Sequence, residues 1–214
     1  MQIELKENQV IIWELEAPSV FRKFVEDFCR QVNAEEGKYI LSDNEKELDI
    51  SKNVEIILTP FLAAVNEKRC LNKVFAQLKE LAFEEKYYLR THQLFSELGN
   101  YFASLEQDMD INLSYEDEMD FSQLIKAVGV KIEEYESDML GKLGQYLQVL
   151  ARLLRKKLVV FVNLSTYLEQ AEIEELLQQA FYLKLHIILI EQGEIALHVT
   201  HRRYIIDKDQ CEIF

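Results

Sequence analysis

Glycine, proline and cysteine are scarce in this chain, at six, two and three residues out of 214. The shortage of glycine weighs against a phosphate cradle. Neither G-x-x-x-x-G-K-[ST] nor G-x-G-x-x-G occurs anywhere, so the loops that wrap nucleotide phosphates with bare backbone are missing. Cys29, Cys70 and Cys211 are odd in number and far apart. That speaks against a disulfide framework and for a reducing, cytoplasmic setting. No cysteine pair has metal-ligand spacing. No apolar run approaches the ~20 residues of a membrane span. The first residues lack a basic segment followed by an apolar one, so neither a signal peptide nor a membrane partner is expected. Lysine and arginine are absent from Thr91 to Ile125, a span that carries eight acids. The net charge is -14, which by itself would exclude a polyanionic partner such as DNA.

The average hides a separation. From Lys126 to Lys157 there are seven basic residues against four acidic ones, and the local field matters more than the sum. The chain is organised around this region, from Asp120 to Asn163. Asp120 followed by Gln123 and an apolar pair predicts a helix N-terminus, and Gly129 predicts its end. Val130 and Ile132 alternate around Lys131 as in a strand. Ser137 offers a second N-cap, with Asp138 in the first turn. A long helix is predicted from about Asp138 to Arg155, with Leu140, Leu143, Leu147, Leu150 and Leu154 on one stripe. Lys142, Arg152 and Lys156 fall on another face. Leu158 to Val162 reads as a strand covered on both sides.

Around this centre the pattern is α/β. Gln2–Lys6 and Val10–Glu14 read as short strands. A helix beginning at Pro18 would bury Val20, Phe21, Phe24, Val25 and Phe28. Strands are predicted at Tyr39–Leu41 and Val54–Leu58. Phe61 to about Leu105 reads as helix almost throughout. After Val162 come a helix near Gln170–Tyr182, a strand at Leu185–Ile190 in a parallel crossover with the one before it, and a last ribbon from Ala196 to Ile206. The predicted division is an α/β head of residues 1–58 with 157–214 and an inserted helical leg of residues 59–156.

Two clusters carry the functional options. The basic set is Lys126, Lys131, Lys142, Arg152, Arg155, Lys156 and Lys157. It is either a phosphate-contacting face for sequence-independent DNA binding or an ordinary solvated helix face with a dipole-matched C-terminus. The acidic set Glu116, Asp117, Glu118 and Asp120 offers hard carboxylate oxygens to a cation, or is a solvated loop leading into a capped helix. The strand Leu158–Val162 ends in the neutral Asn163, where an ATPase would place a magnesium-binding acid. That neutral residue weighs against ATP hydrolysis, and a residual ATPase or a metal-dependent nuclease using the acidic cluster stands as the enzymatic alternative. A protein-binding scaffold without DNA affinity is the third reading. His198 and His201, three residues apart, would face opposite ways on a strand.

Two segments, Leu124–Lys131 and Leu154–Asn163, resemble in residues, order and separation the small adaptation protein of type II-A CRISPR systems. The resemblance is firmest from Asp120 to Leu168 and extends to Val54–Leu78 and Tyr204–Asp209. It implies a head similar to a nucleotide-hydrolase fold with degenerate nucleotide motifs, carrying an α-helical leg. It also implies a non-catalytic homotetrameric ring whose basic channel accepts double-stranded DNA ends during spacer acquisition. The partners would be the adaptation integrase and the RNA-guided effector nuclease. Lys126, Lys131, Lys142 and the Arg155–Lys156–Lys157 junction match basic positions of that pattern. Glu116, Asp117 and Asp120 lie where its calcium ligands are expected. Pro60 departs from the polar or acidic residue that relatives tend to place after the strand.

Overall fold

A computed structural model describes residues 4–43, 46–109, 111–114 and 120–213. In chain order the elements are β1 (Val10–Leu15), α1 (Pro18–Val32), β2 (Leu41–Asp43), β3 (Lys46–Leu48), α2 (Ile50–Asn53), β4 (Val54–Ile57), α3 (Lys68–Ala82), α4 (Glu85–Glu106) and α5 (Phe121–Val128). They continue with α6 (Met139–Arg152), β5 (Leu158–Val162), α7 (Gln170–Tyr182), β6 (His186–Glu191), β7 (His201–Ile206) and β8 (Glu212–Ile213). Single 3-10 turns follow β4 at Pro60–Leu62 and β5 at Leu164–Thr166. The chain is α/β and forms two units, residues 1–65 with 134–214 and residues 66–133.

The first unit is built on a sheet of order β4-β5-β6-β1-β7-β8. All pairings are parallel except β7 with β8. Strand β1 lies inside, with Val10 opposite Ile187 on one side and His201 on the other. Its six residues are all buried, as are the five of β5. Runs of this kind are what a parallel sheet covered on both faces requires. One face packs Ile11, Trp13, Leu15, Val160, Val162, Ile188 and Ile190 with Phe28, and against them Val20, Phe21, Phe24 and Val25 of α1. Trp13 is edge-on to Phe24 at 5.6 Å between centroids, and Phe28 stacks on Tyr39 at 4.3 Å. The alternate residues Ile12, Val159, Phe161, Ile187 and Leu189 point the other way. They are fully buried or nearly so, and α6 and α7 supply the matching apolar set of Leu143, Leu147, Leu150, Ile173, Leu176 and Leu177.

A side-chain amide completes the α1 layer. Gln31 donates to the Tyr39 carbonyl and accepts from the Tyr39 N–H, both at 2.9 Å. Gly37 makes room for it, because a Cβ there would fall 2.2 Å from Gln31 Cγ. Helix α6, which the sequence pattern assigned to the leg, lies in the first unit and packs on α7. Its leucine stripe is the reason, since Leu143, Leu147 and Leu150 are completely buried.

The second unit consists of α3, α4 and α5. The helical stretch expected over Phe61–Leu105, as one arm or a helix pair, is a pair, with the chain turning at Phe83–Glu84. There the Thr91 hydroxyl donates to the Ala82 carbonyl at 2.8 Å, satisfying one of the orphan acceptors at a helix end. Phe121 of α5 is edge-on to Phe83 and Phe95, at 6.1 and 6.2 Å. The strand expected around Lys131 does not form. Ile132 bonds instead to the side chain of Asn66, N–H to Oδ1 and carbonyl to Nδ2, both at 2.9 Å.

Candidate nucleic-acid interface

Helix α6 starts at Asp138, whose carboxylate accepts from the Gly141 N–H at 2.8 Å. Asp138, not the adjacent Ser137, is the N-cap; both offer a short acceptor, and the capping position lies one residue further on. The helix is 14 residues long, or about 21 Å at ~1.5 Å per residue. Lys142 and Arg152 are exposed and Leu143, Leu147 and Leu150 buried, so the stripe turns the cations outward. The expected extension to Arg155 is cut short. Arg155 takes a left-handed φ of 57°, and the Lys156 N–H reaches back to the Leu150 carbonyl at 2.9 Å.

This turn divides the basic junction. Arg155 remains exposed. The Lys156 ammonium enters the protein and donates to the carbonyls of Ser51 and Val54, both at 2.8 Å. It also lies 3.7 Å from Glu55 Oε2, with side chains only 9% and 7% exposed. Tyr146 of α6 donates to Glu55 Oε1 at 3.1 Å. Lys156 is therefore an internal tie between α6, α2 and β4, and not a surface cation. Lys157 is exposed and pairs with Asp43 at 3.0 Å. In the second unit, Lys126 on the last turn of α5 and Lys131 beyond Gly129 are both exposed. Among the described residues, Lys126, Lys131, Lys142, Arg152 and Arg155 form no ion pair.

Of the acidic set, Glu116 and Asp117 lie outside the described residues. Asp120 is the N-cap of α5 and accepts from the Ser122 N–H at 2.9 Å. That bond, with Lys79 and Lys126 nearby, holds its carboxyl below the usual range. Lys79 stands 3.8 Å from the same oxygen, Oδ1. One carboxylate oxygen of Asp120 is thus engaged as a cap. No group of three or more His, Cys, Asp or Glu side chains converges as a metal site among the described residues.

The carboxyl ends of the strands are where an open α/β sheet usually takes its ligand. Here β1 passes to α1 through only Glu16 and Ala17. Glu14 and Glu191, opposite each other in register, are 6% and 2% exposed. Glu191 accepts from the Ser165 hydroxyl at 2.6 Å and the Ser165 N–H at 3.2 Å. Arg203 lies 3.6 Å from Glu14 and ties down the following loop through Glu194 at 3.0 Å and the Ile195 carbonyl at 2.7 Å. Neither acid was singled out from the sequence. Their signal was a carboxylate at the end of an otherwise apolar run.

Burial pushes the Glu191 carboxyl up, against the opposing effect of its hydrogen bonds from Ser165 and Leu164. A carboxyl raised in the fold contributes most below its unfolded value of about 4.5, and the contribution is lost as pH rises through the folded value. Glu191→Gln stays neutral and can offer its amide to the Ser165 hydroxyl. Relative to the wild type, the variant should gain stability between pH 4 and pH 7. Urea unfolding of both proteins at the two pH values measures this, and an equal difference at both would remove Glu191 as the titrating group.

The family model for CRISPR-associated protein (Cas_Csn2) matches residues 31–210. A protein named CRISPR-associated protein Csn2 from Streptococcus agalactiae is 28% identical over 206 residues, 94% of this chain and 89% of the relative. One of the same name from Enterococcus faecalis is 30% identical over 108 residues, 50% of this chain and 47% of the relative. With its fold, exposed cations and family match together, this chain belongs to the Csn2 family of CRISPR-associated proteins.

Proposed function

We propose that the protein is a non-catalytic, sequence-independent binder of double-stranded DNA ends. It acts as a homotetrameric ring in the cytoplasm, in the spacer-acquisition stage of CRISPR defence, beside the adaptation integrase and the RNA-guided effector nuclease. The observation that carries the reading is the state of the cations. In a chain with 38 acids against 24 Lys and Arg, five of the seven basic side chains between Lys126 and Lys157 are exposed and keep out of every ion pair among the described residues. Three of them, Lys142, Arg152 and Arg155, lie on α6 and in the turn that follows it. Cations outside ion pairs remain able to contact phosphate oxygens. No base-reading geometry is implied, so selection of free ends would come from threading through a ring.

Two features support a non-catalytic role. The two-residue β1–α1 turn leaves no phosphate loop, and the buried acids at the strand ends are engaged by Ser165 and Arg203. Calcium belongs to the same proposal. Its ligands would be the hard oxygens of Glu116, Asp117 and Asp120, and bound there it would neutralise acids beside the basic surface.

The experiment compares linear with covalently closed circular duplex in gel shifts, with calcium and with chelator. Calcium-dependent binding to linear duplex alone is the expected result. Equal binding to both forms would sink the threading, and no binding to either would leave a protein-binding scaffold. Metal-dependent cleavage of the linear form would replace the reading with a nuclease.

A further inference from the structure

Phe61 and Leu62 stand out of the first unit just beyond β4, 72% and 73% exposed. They belong to the 3-10 turn Pro60–Leu62, whose first residue is a buried proline. Its fixed φ sets the turn, and the two apolar side chains after it face solvent. The corresponding turn after β5 leads to Tyr167, 36% exposed. The Phe61 and Tyr167 rings meet at 5.7 Å between centroids, with an interplanar angle of 89°. Rings set edge to face leave one of the pair with both of its faces clear of the other. The patch lies at the carboxyl end of two parallel strands, the end of an α/β sheet where ligands gather. A cation shares this end. Helix α6 finishes beside the start of β4, where the Lys157 N–H donates to the Asn53 carbonyl at 2.8 Å. It also touches the Pro60–Leu62 turn, so its first turn, with the exposed Lys142, lies toward the far end of that strand.

We propose that Phe61 and Tyr167 form a stacking platform for an unpaired nucleobase at a DNA end, with Lys142 to meet the flanking phosphate. This rests on the DNA-end reading above and adds to it the kind of end preferred, one with a single-stranded tail. Every base has a face to stack, so the platform needs no sequence reading. The two rings together expose roughly 200 Å², at about 150–250 Å² for a whole aromatic side chain. That is far below the about 800 Å² that each partner gives to a stable protein interface, and it suits a base. Sites for single strands join aromatic faces to cations that track the backbone. Lys142 is such a cation, since it forms no ion pair among the described residues.

The test titrates the full chain, with calcium present, against two linear duplexes. One is blunt, and the other ends in a short single-stranded tail carrying a fluorescent adenine analogue that stacking quenches. The tailed duplex should bind about tenfold more tightly, the effect of one stacked base, and its fluorescence should fall on binding. Phe61→Ala and Tyr167→Ala should each bring the tailed duplex level with the blunt one and restore the fluorescence, and Phe61→Trp should keep the preference. Equal binding of both duplexes by the wild type would overturn the platform and leave the DNA-end reading standing. Binding of neither would remove both. A preference that survives both alanine variants would also overturn the platform. So would a Phe61→Ala assembly of lower mass in sedimentation, which would make the patch a contact between copies of the chain. Should Phe61→Ala fail to fold, Tyr167→Ala carries the test.

Discussion

Charge reversal of Lys126 and Lys142 together should lower affinity for linear duplex DNA by about a hundredfold at ~0.1 M salt. Each neutralised phosphate adds about 0.9 to the slope of log affinity against log salt, which makes one contact worth close to tenfold at that concentration. Glutamate also repels phosphate, so the loss should exceed that of simple removal, and a homotetramer would repeat each change. The salt slope should flatten by about 2. Binding titrations from roughly 50 to 200 mM salt read both quantities. Lys157→Ala is the internal comparison, because Lys157 is paired with Asp43 at 3.0 Å and should matter less. If the double reversal leaves affinity and slope as they are, the DNA path does not run over α5 and α6.

Lys156 cannot be used in such a series, because its replacement should damage the fold. Lys156→Met should destabilise the protein by about 3–5 kcal/mol, the range for leaving one member of a buried pair alone. The ammonium satisfies the carbonyls of Ser51 and Val54 at 2.8 Å, and both acceptors would lose that donor. Glu55, only 6% exposed, would lose its cation and keep the Tyr146 hydroxyl at 3.1 Å. The two carbonyl bonds are shorter than the 3.7 Å approach to Glu55, so they carry the larger part of the tie. Adding Glu55→Gln should recover a portion of the loss, because the uncompensated charge is then gone. Denaturant unfolding of the single and double variants closes the cycle. A Lys156→Met protein as stable as the wild type would mean that the tie is energetically neutral.

Lys156 also marks where sequence reading stops. Its spacing to Lys142 and Arg152 put it on an outward helical face, but the helix ends at Arg152 and Arg155 turns left-handed. Its partners at Ser51 and Val54 lie more than a hundred positions away in sequence. The strand expected at Val130–Ile132 failed for the same reason. Local alternation was real, but Asn66 took the place of a neighbouring strand. Features that depend on a few adjacent residues were legible. Asp120 and Gly129 bound α5 as cap and left-handed stop, and the apolar run of β5 runs from Leu158 to Val162. The exposed cations were legible as well, since a leucine stripe fixes which side of α6 faces inward. The acids at the ends of β1 and β6 went unremarked because their significance lies in register across the sheet.

The position of β1 has a consequence for biosynthesis. It leaves the ribosome long before both of its neighbours, β6 and β7, which lie beyond residue 185. At ~5–20 residues per second, about 10–40 s separate β1 from His201–Ile206. Throughout that interval a segment destined for complete burial has no edge to join. Helices α3 to α5 pack on one another within residues 66–133 and can form meanwhile. The nascent chain thus carries a finished helical unit in the middle of an unfinished sheet, and its apolar first strand is the part that most needs a chaperone's shelter.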